Sequence, residues 1–142
     1  MMIGIRPAQE FDAEAIAVLL GQLRHPSTPE HIRRQLKRIG PGANESVLVA
    51  SSQGTVLGFI VLQISPQFHQ EPPLARIIDL CVLEGHHGRH IGRLLFQGAE
   101  AIARQKQCIK LEVTASNDRL TAHRFYARNG MKPTHKYFGK DL

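Results

Sequence analysis

The chain has no tryptophan, and only two tyrosines and two cysteines among 142 residues. Two cysteines cannot build the disulfide framework of a small secreted scaffold. Cys81 and Cys108 lie in apolar, strand-like runs, which reads as two buried thiols in a reducing compartment. No apolar run approaches the ~20 residues that a membrane-spanning helix needs. The opening Met1-Met2-Ile3-Gly4-Ile5-Arg6 has neither the apolar core nor the cleavage site of a secretory leader. Gly-x-x-x-x-Gly-Lys and Gly-x-Gly-x-x-Gly are both missing, so neither of those nucleotide cradles is expected. There is no internal repeat, low-complexity tract or break in composition. The expectation is one cytoplasmic domain over residues 1–142 with no membrane partner.

A hydrophobic fraction of 42% with 21% charged residues suits a soluble domain with a sizeable core. Lysine and arginine number 18 against 12 acids, a net charge of +6, which favours an anionic ligand. The positive charge is spread along the chain rather than gathered in a tail. No recognised nucleic-acid-binding motif is present, so no nucleic-acid partner is expected.

Ile3 to Arg6 reads as a strand ended by Pro7. Asp12 is placed to cap a helix, with Phe11 and Ile16 as a hydrophobic staple. Ile16, Leu19, Leu20 and Leu23 give that helix one apolar face. Thr28-Pro29-Glu30 starts a second helix. Its stripe of Ile32, Leu36 and Ile39 is thin beside Arg33, Arg34, Lys37 and Arg38. Those cations make either a solvated face or a lid over an anionic substrate.

Ser46–Ser51 and Thr55–Ile64 read as a hairpin joined by Ser-Gln-Gly. Prolines 66, 72 and 73 keep the following loop irregular. Ala75 to Leu83, apolar almost throughout, reads as a central strand covered on both faces. A helix follows with Ile91, Leu94, Leu95, Gly98, Ala99 and Ile102 on one side. Ile109 to Thr114 alternates as a strand. Asn117-Asp118 caps a helix through Phe125 and Tyr126, and Asn129-Gly130 ends it. His135 to Gly139 makes a last strand. The order β-α-α-β-β-β-α-β-α-β implies an α/β or α+β sandwich on a mixed sheet.

The most informative stretch is His86-His87-Gly88-Arg89-His90-Ile91-Gly92-Arg93. A strand that enters a Gly-containing basic turn and then a helix start offers unpaired backbone N–H groups and a positive dipole end to an anion. A diphosphate-bearing cofactor is the ligand to expect. His86-x-x-x-His90 has the spacing of a helical metal pair. Gly88 and the phosphate duty of the turn argue against that, and no metal is expected.

This stretch and a second one, Ala122-His123-Arg124-Phe125-Tyr126-Ala127-Arg128-Asn129-Gly130-Met131, resemble the GCN5-related N-acetyltransferase (GNAT) superfamily. Its pyrophosphate signature, Gln or Arg, x, x, Gly, x, Gly or Ala, maps onto His87-Gly88-Arg89-His90-Ile91-Gly92. The final Gly matches. His87 replaces the leading Gln or Arg, and His90 the inner Gly. The second stretch is similar to the closing Phe-Tyr-x-x-x-Gly-Phe signature, with Met131 for the aromatic. Where the family usually carries Asn, seven residues before the Tyr, this chain has Arg119, with Asn117 two residues earlier. From Asn117 to Leu142 the chain looks most like small-amine acetyltransferases of the aminoalkylphosphonate type.

The resemblance implies a mixed, mostly antiparallel central sheet flanked by helices. It also implies acetyl-CoA as co-substrate and direct attack by a primary amine through a tetrahedral intermediate. Main-chain amides from His87 through Gly88, Arg89, His90, Ile91 and Gly92 to Arg93 would clasp the coenzyme's paired phosphates, with Asn117 a further contact. Backbone N–H groups in Leu80, Cys81 and Val82 would stabilise the oxyanion. Tyr126 would protonate the departing thiolate; a packing tyrosine is the other reading.

An alkylamine with a pKa near ~10.4 is almost wholly protonated at neutral pH, so a base or a water chain must take its proton. Asp79 in the central strand is one candidate, and His69 or Glu71 in the neighbouring loop are others. A domain without an added recognition module points to a small-molecule amine. The alternatives are a protein N-terminus or lysine as acceptor, or a non-catalytic acyl-CoA sensor on the same fold. Relatives often pair, which implies a homodimer.

Overall fold

The hairpin at the centre of the chain sets the architecture. Strands β2 (Glu45–Ser52) and β3 (Thr55–Ser65) are joined by Gln53 and Gly54, both at positive φ, 51° and 80°. Two such residues twist a two-residue turn in the same sense as its flanking strands. Strand β1 (Gly4–Pro7) pairs antiparallel with β2, and β4 (Leu74–Val82) pairs antiparallel with β3. Strand β5 (Lys110–Val113) joins β4 in parallel, which requires the intervening crossover helix α3 (Ile91–Gln105). The sheet order is β1-β2-β3-β4-β5. Helices α1 (Ala13–Gln22), α2 (Pro29–Arg38) and α4 (Leu120–Arg128) complete the computed structural model. It describes residues 2–40, 42–88 and 90–142.

Strand alternation sends apolar residues to both faces. On one face Ile60, Leu62, Ala75 and Ile77 meet Leu95, Phe96 and Ala99 of α3. On the other, Val49, Phe59 and Cys81 meet Ile16, Leu19 and Leu20 of α1. Each fully buried large side chain, such as Phe59 or Phe96, contributes about 1.5–3 kcal/mol of transfer free energy. Thr28 caps α2 as its sequence suggests, its Oγ1 accepting from the His31 N–H at 3.1 Å. Gly130, at φ 88°, follows the end of α4, and the Met131 N–H returns to the Tyr126 carbonyl at 3.0 Å.

Four expectations need correction. Asp12 does not cap α1 with its side chain; a 3-10 turn at Glu10–Asp12 precedes the helix. The carboxylate instead accepts from the Gln9 N–H at 2.7 Å and pairs with Arg6. Phe11 forms no staple: it is exposed and lies under the Arg6 guanidinium, 5.3 Å from ring centroid to Cζ. Arg119, not Asn117 or Asp118, precedes α4, because Asp118 turns back to accept from the Ser116 hydroxyl.

The strand expected from His135 to Gly139 does not form, and residues 132–142 are exposed. Tyr137 and Phe138 are adjacent, so an extended backbone would point them to opposite sides and offer no single apolar face. Edge strand β5, only four residues long, gives them little to pair with.

Candidate active site

A groove opens where two strands part. Strand β5 runs beside β4 only from Leu74 to Ile77. Beyond Ile77, β4 continues to Val82 while the chain after Val113 leaves for α4. The β5-facing edge of residues 78–82 therefore has no strand partner among the described residues, and its backbone groups are open to a ligand. On the β3 side a bulge pairs Val61 with Asp79 and Leu62 with Ile77, leaving Ile78 without a register partner. A bulge reverses which face each later residue occupies. Leu80 and Val82 thus join Ile77 on the α3 side, while Cys81 packs toward α1. The expected cover on both faces of β4 is incomplete: Ala75 and Ile77 are buried under α3, but Leu74 and Arg76 on the other face are half-exposed and Ile78 is 46% exposed.

The groove has a volume of about 1120 Å³. Leu80 and Val82 form its floor, the turn from His86 and the start of α3 one wall, and α4 the other. In the turn, Gly85 and Gly88 hold φ values of 87° and 84°. Open space surrounds the position of a Cβ on Gly88, so an anion has room to approach the backbone. His90 is also left-handed, at φ 61°, where Gly would be unstrained. It precedes α3 without capping it. The first bond within the helix runs from the Leu94 N–H to the His90 carbonyl. The amides of Ile91, Gly92 and Arg93 precede it and lack helical acceptors. With the positive dipole end, they form an anion cradle.

Tyr126 lines the opposite wall, held against Phe125 in an edge-to-face contact of 5.3 Å. Its hydroxyl has no hydrogen-bond partner among the described residues. Burial pushes its pKa up, Arg119 opposes the shift and Asp79 adds to it. The phenol is therefore a proton carrier at neutral pH.

Asp79 is half-buried and does not line the groove. Burial raises its pKa, and the charge of His25 partly offsets this. Burial also pushes the Cys81 thiol up to about 11, and its Sγ donates to the Leu19 carbonyl at 3.3 Å. Cys81 is thus a packing residue rather than a nucleophile.

The structure brings Leu80, Val82, His87, Gly88, His90, Ile91, Gly92, Arg93 and Tyr126 to one groove. Arg89 lies outside the described residues. Cys81 contributes backbone to the free edge but no side chain to the groove. His69 and Glu71 are exposed in the loop after β3, and neither they nor Asn117 line the groove.

The basic helix is no lid here. Arg33, Arg34 and Lys37 line a separate shallow depression with Glu10 and Glu30. Arg33 pairs with Glu14, and Arg38 with Glu45 at 2.7 Å.

His25 is a residue that the sequence did not single out; His86 and Arg119 stand in the motifs already described, and the structure adds that both line the groove. The charge of His25, which follows α1, acts on Asp79 of β4, an effect between segments far apart in sequence.

The charged groove lining comprises Arg93, Arg119 and Arg128 against Glu100 and Asp118. An excess of cations, a free strand edge and an anion cradle fit an elongated ligand that carries negative charge at one end. No group of three or more metal-ligating side chains occurs among the described residues.

Residues 14–131 match the Acetyltransferase (GNAT) family. This chain belongs to the GNAT family. Over 94 residues it is 36% identical to the aminoalkylphosphonate N-acetyltransferase of Salmonella typhimurium, covering 66% of this chain. The match spans 61% of that protein's length. The crystal structure of a transcriptional regulator from Bacillus halodurans C-125 is similar, with a TM-score of 0.89, 25% identity and coverage of 99% and 100% of the two chains. Aminoglycoside N-acetyltransferase AAC(6')-Iy in complex with CoA shares the fold at a TM-score of 0.87 and 15% identity, over 99% of this chain and 95% of that one.

Proposed function

We propose that the protein is an acetyl-CoA-dependent N-acetyltransferase whose acceptor is the primary amine of a small molecule. One observation carries this: the anion cradle at Gly88 and Ile91–Arg93, the free β4 edge at Leu80–Val82 and the Tyr126 phenol share one groove. The likeness to the aminoalkylphosphonate enzyme supports the small-molecule acceptor.

In this reading the cradle amides and the arginines hold the coenzyme's phosphates. The free amides of the β4 edge stabilise the oxygen that gains charge when the amine nitrogen attacks the acetyl carbon. The C–N bond forms, the C–S bond breaks, the thiolate takes its proton from the Tyr126 hydroxyl, and the proton shed by the new amide nitrogen returns to the phenolate. Before the attack, Asp79 takes the ammonium proton through water, since it does not itself line the groove. Neither Asp79 nor His69 lines the groove, and the charge coupling of Asp79 to Tyr126 is what favours it over the exposed His69. The exposed Tyr137, Phe138 and Leu142, with β5 at the sheet edge, support the homodimer that the family resemblance implies.

Melting curves with acetyl-CoA, ATP and duplex DNA side by side test the ligand class. A native-state ligand stabilises by RT ln(1 + [L]/Kd), so acetyl-CoA alone should raise Tm. Product analysis on a panel of small amines and peptides then tests the acceptor. A response to DNA alone, or acetylation of peptides only, overturns the respective half of the reading.

A further inference from the structure

We propose that His86, which lies outside the pyrophosphate signature, binds the coenzyme by donating an Nε2–H hydrogen bond to a phosphate oxygen. This rests on the acetyl-CoA reading above.

His86 lines the groove beside His87 and Gly88. Its backbone is fixed by the turn, with the His86 N–H on the Leu83 carbonyl at 3.0 Å. The side chain is partly buried, and its Nδ1 is sealed from solvent with no hydrogen-bond partner among the described residues. Nε2 is not sealed in this way.

A neutral imidazole carries one N–H and one bare nitrogen. Placing the N–H at Nδ1 would bury a donor without an acceptor, an arrangement that folded proteins rarely keep. The sealed nitrogen is therefore the bare one, and Nε2 carries the hydrogen. The fold thus fixes His86 as a one-sided donor. Arg93 and the cradle residues Ile91 and Gly92 line the same groove and favour anions, so a phosphate oxygen is the matching acceptor.

Two variants separate binding from packing. His86→Phe keeps a ring of similar bulk and removes both nitrogens. His86→Gln places an amide donor near Nε2. For the wild type and both variants, Kd for coenzyme A is measured by calorimetry, and Tm without ligand by thermal melting. His86→Phe should weaken coenzyme A binding about tenfold, the worth of one charge-assisted hydrogen bond. Its ligand-free Tm should be unchanged or raised, because a sealed unpaired nitrogen is replaced by carbon. His86→Gln should bind within about threefold of wild type, since the donor is restored.

Unchanged coenzyme A affinity in His86→Phe overturns the proposal. So does a loss of affinity of the same size in His86→Gln. Wild-type protein that binds no coenzyme A overturns the underlying reading and this inference with it, an outcome distinct from binding that ignores His86.

Discussion

A methyl group on Gly92 would stand 3.1 Å from Cε1 and 3.3 Å from Cζ of Phe125. The first turn of α3 and the body of α4 therefore meet through a residue with no side chain. The glycine that ends the pyrophosphate signature has a packing duty besides any coenzyme contact. Phe125 in turn sits edge-on between Phe96, at 6.2 Å, and Tyr126. Gly92→Ala should push Phe125 outward, cost about 1–3 kcal/mol and displace the neighbouring phenol. Denaturant melts should show the lost stability, and Phe125→Leu in the same chain should recover part of it. Unaltered stability in the single variant would remove this packing role.

Tyr126→Phe should lower kcat about a hundredfold, the scale of a lost general acid, with the acetyl-CoA Kd nearly unchanged. Burial raises the phenol's pKa, so in wild type the proton is present through neutral pH and leaves only above the ordinary tyrosine range. The alkaline fall in kcat should lie there and be missing from the variant. Equal kcat in the two proteins would take Tyr126 out of the chemistry.

Asp79 has a pKa raised by burial. The folded chain therefore holds this proton more tightly than the unfolded one. The stabilisation is complete below the ordinary Asp value and is lost as pH rises through the raised folded value. At pH 7 the ionised carboxylate is a burden, so Asp79→Asn should melt higher than wild type there and show no such advantage at pH 3. Acetyl transfer by the same variant should fall about a hundredfold if the carboxylate takes the amine's proton. Full activity with raised stability would leave Asp79 a spectator.

The Arg6 guanidinium holds the Asp12 carboxylate at 2.8 and 2.9 Å, and Asp12 is only 3% exposed. Burial pushes that carboxyl up, but the hydrogen bonds from Arg6 and from the Gln9 amide outweigh it, and its pKa is lowered. Stability from this pair is present above the ordinary Asp value and is lost as pH falls through the lowered folded value. Arg6→Ala leaves a buried charge unpaired at a partly solvated site. It should cost about 2 kcal/mol at pH 7 and much less near pH 2. Melting curves at the two pH values check this.

His90 holds a left-handed backbone at φ 61°. His90→Gly should relieve about 1 kcal/mol of strain and raise Tm, while the α3 amides keep their orientation. A lower Tm would mean that the imidazole contributes more than its backbone costs.

Much of the fold is legible in short stretches. The hairpin follows from Gln53-Gly54, the start of α2 from Thr28, the end of α4 from Gly130, and the buried face of α3 from the spacing of Ile91, Leu95 and Ala99. The anion cradle is legible for the same reason, because turn and helix start are contiguous. Asp12 misleads because its carboxylate has two possible uses, and a guanidinium six residues earlier outcompetes the helix end. His135–Gly139 misleads because strand-like residues need a partner edge that composition does not reveal. His69 is close to β4 in sequence, yet its loop carries it away from the groove.

The sequence by itself determined the family, the Gly-containing turn that opens α3 and the phenol across the groove from it. Those are patterns written within a few consecutive residues, and backbone geometry converts them into structure locally. Only the tertiary structure decided that β5 stops at Val113 while β4 runs on, that a bulge at Ile78 turns Leu80 and Val82 into the groove, and that the charge of His25 acts on Asp79. Each of those depends on where separate segments end against one another, a quantity set by packing of the whole sheet.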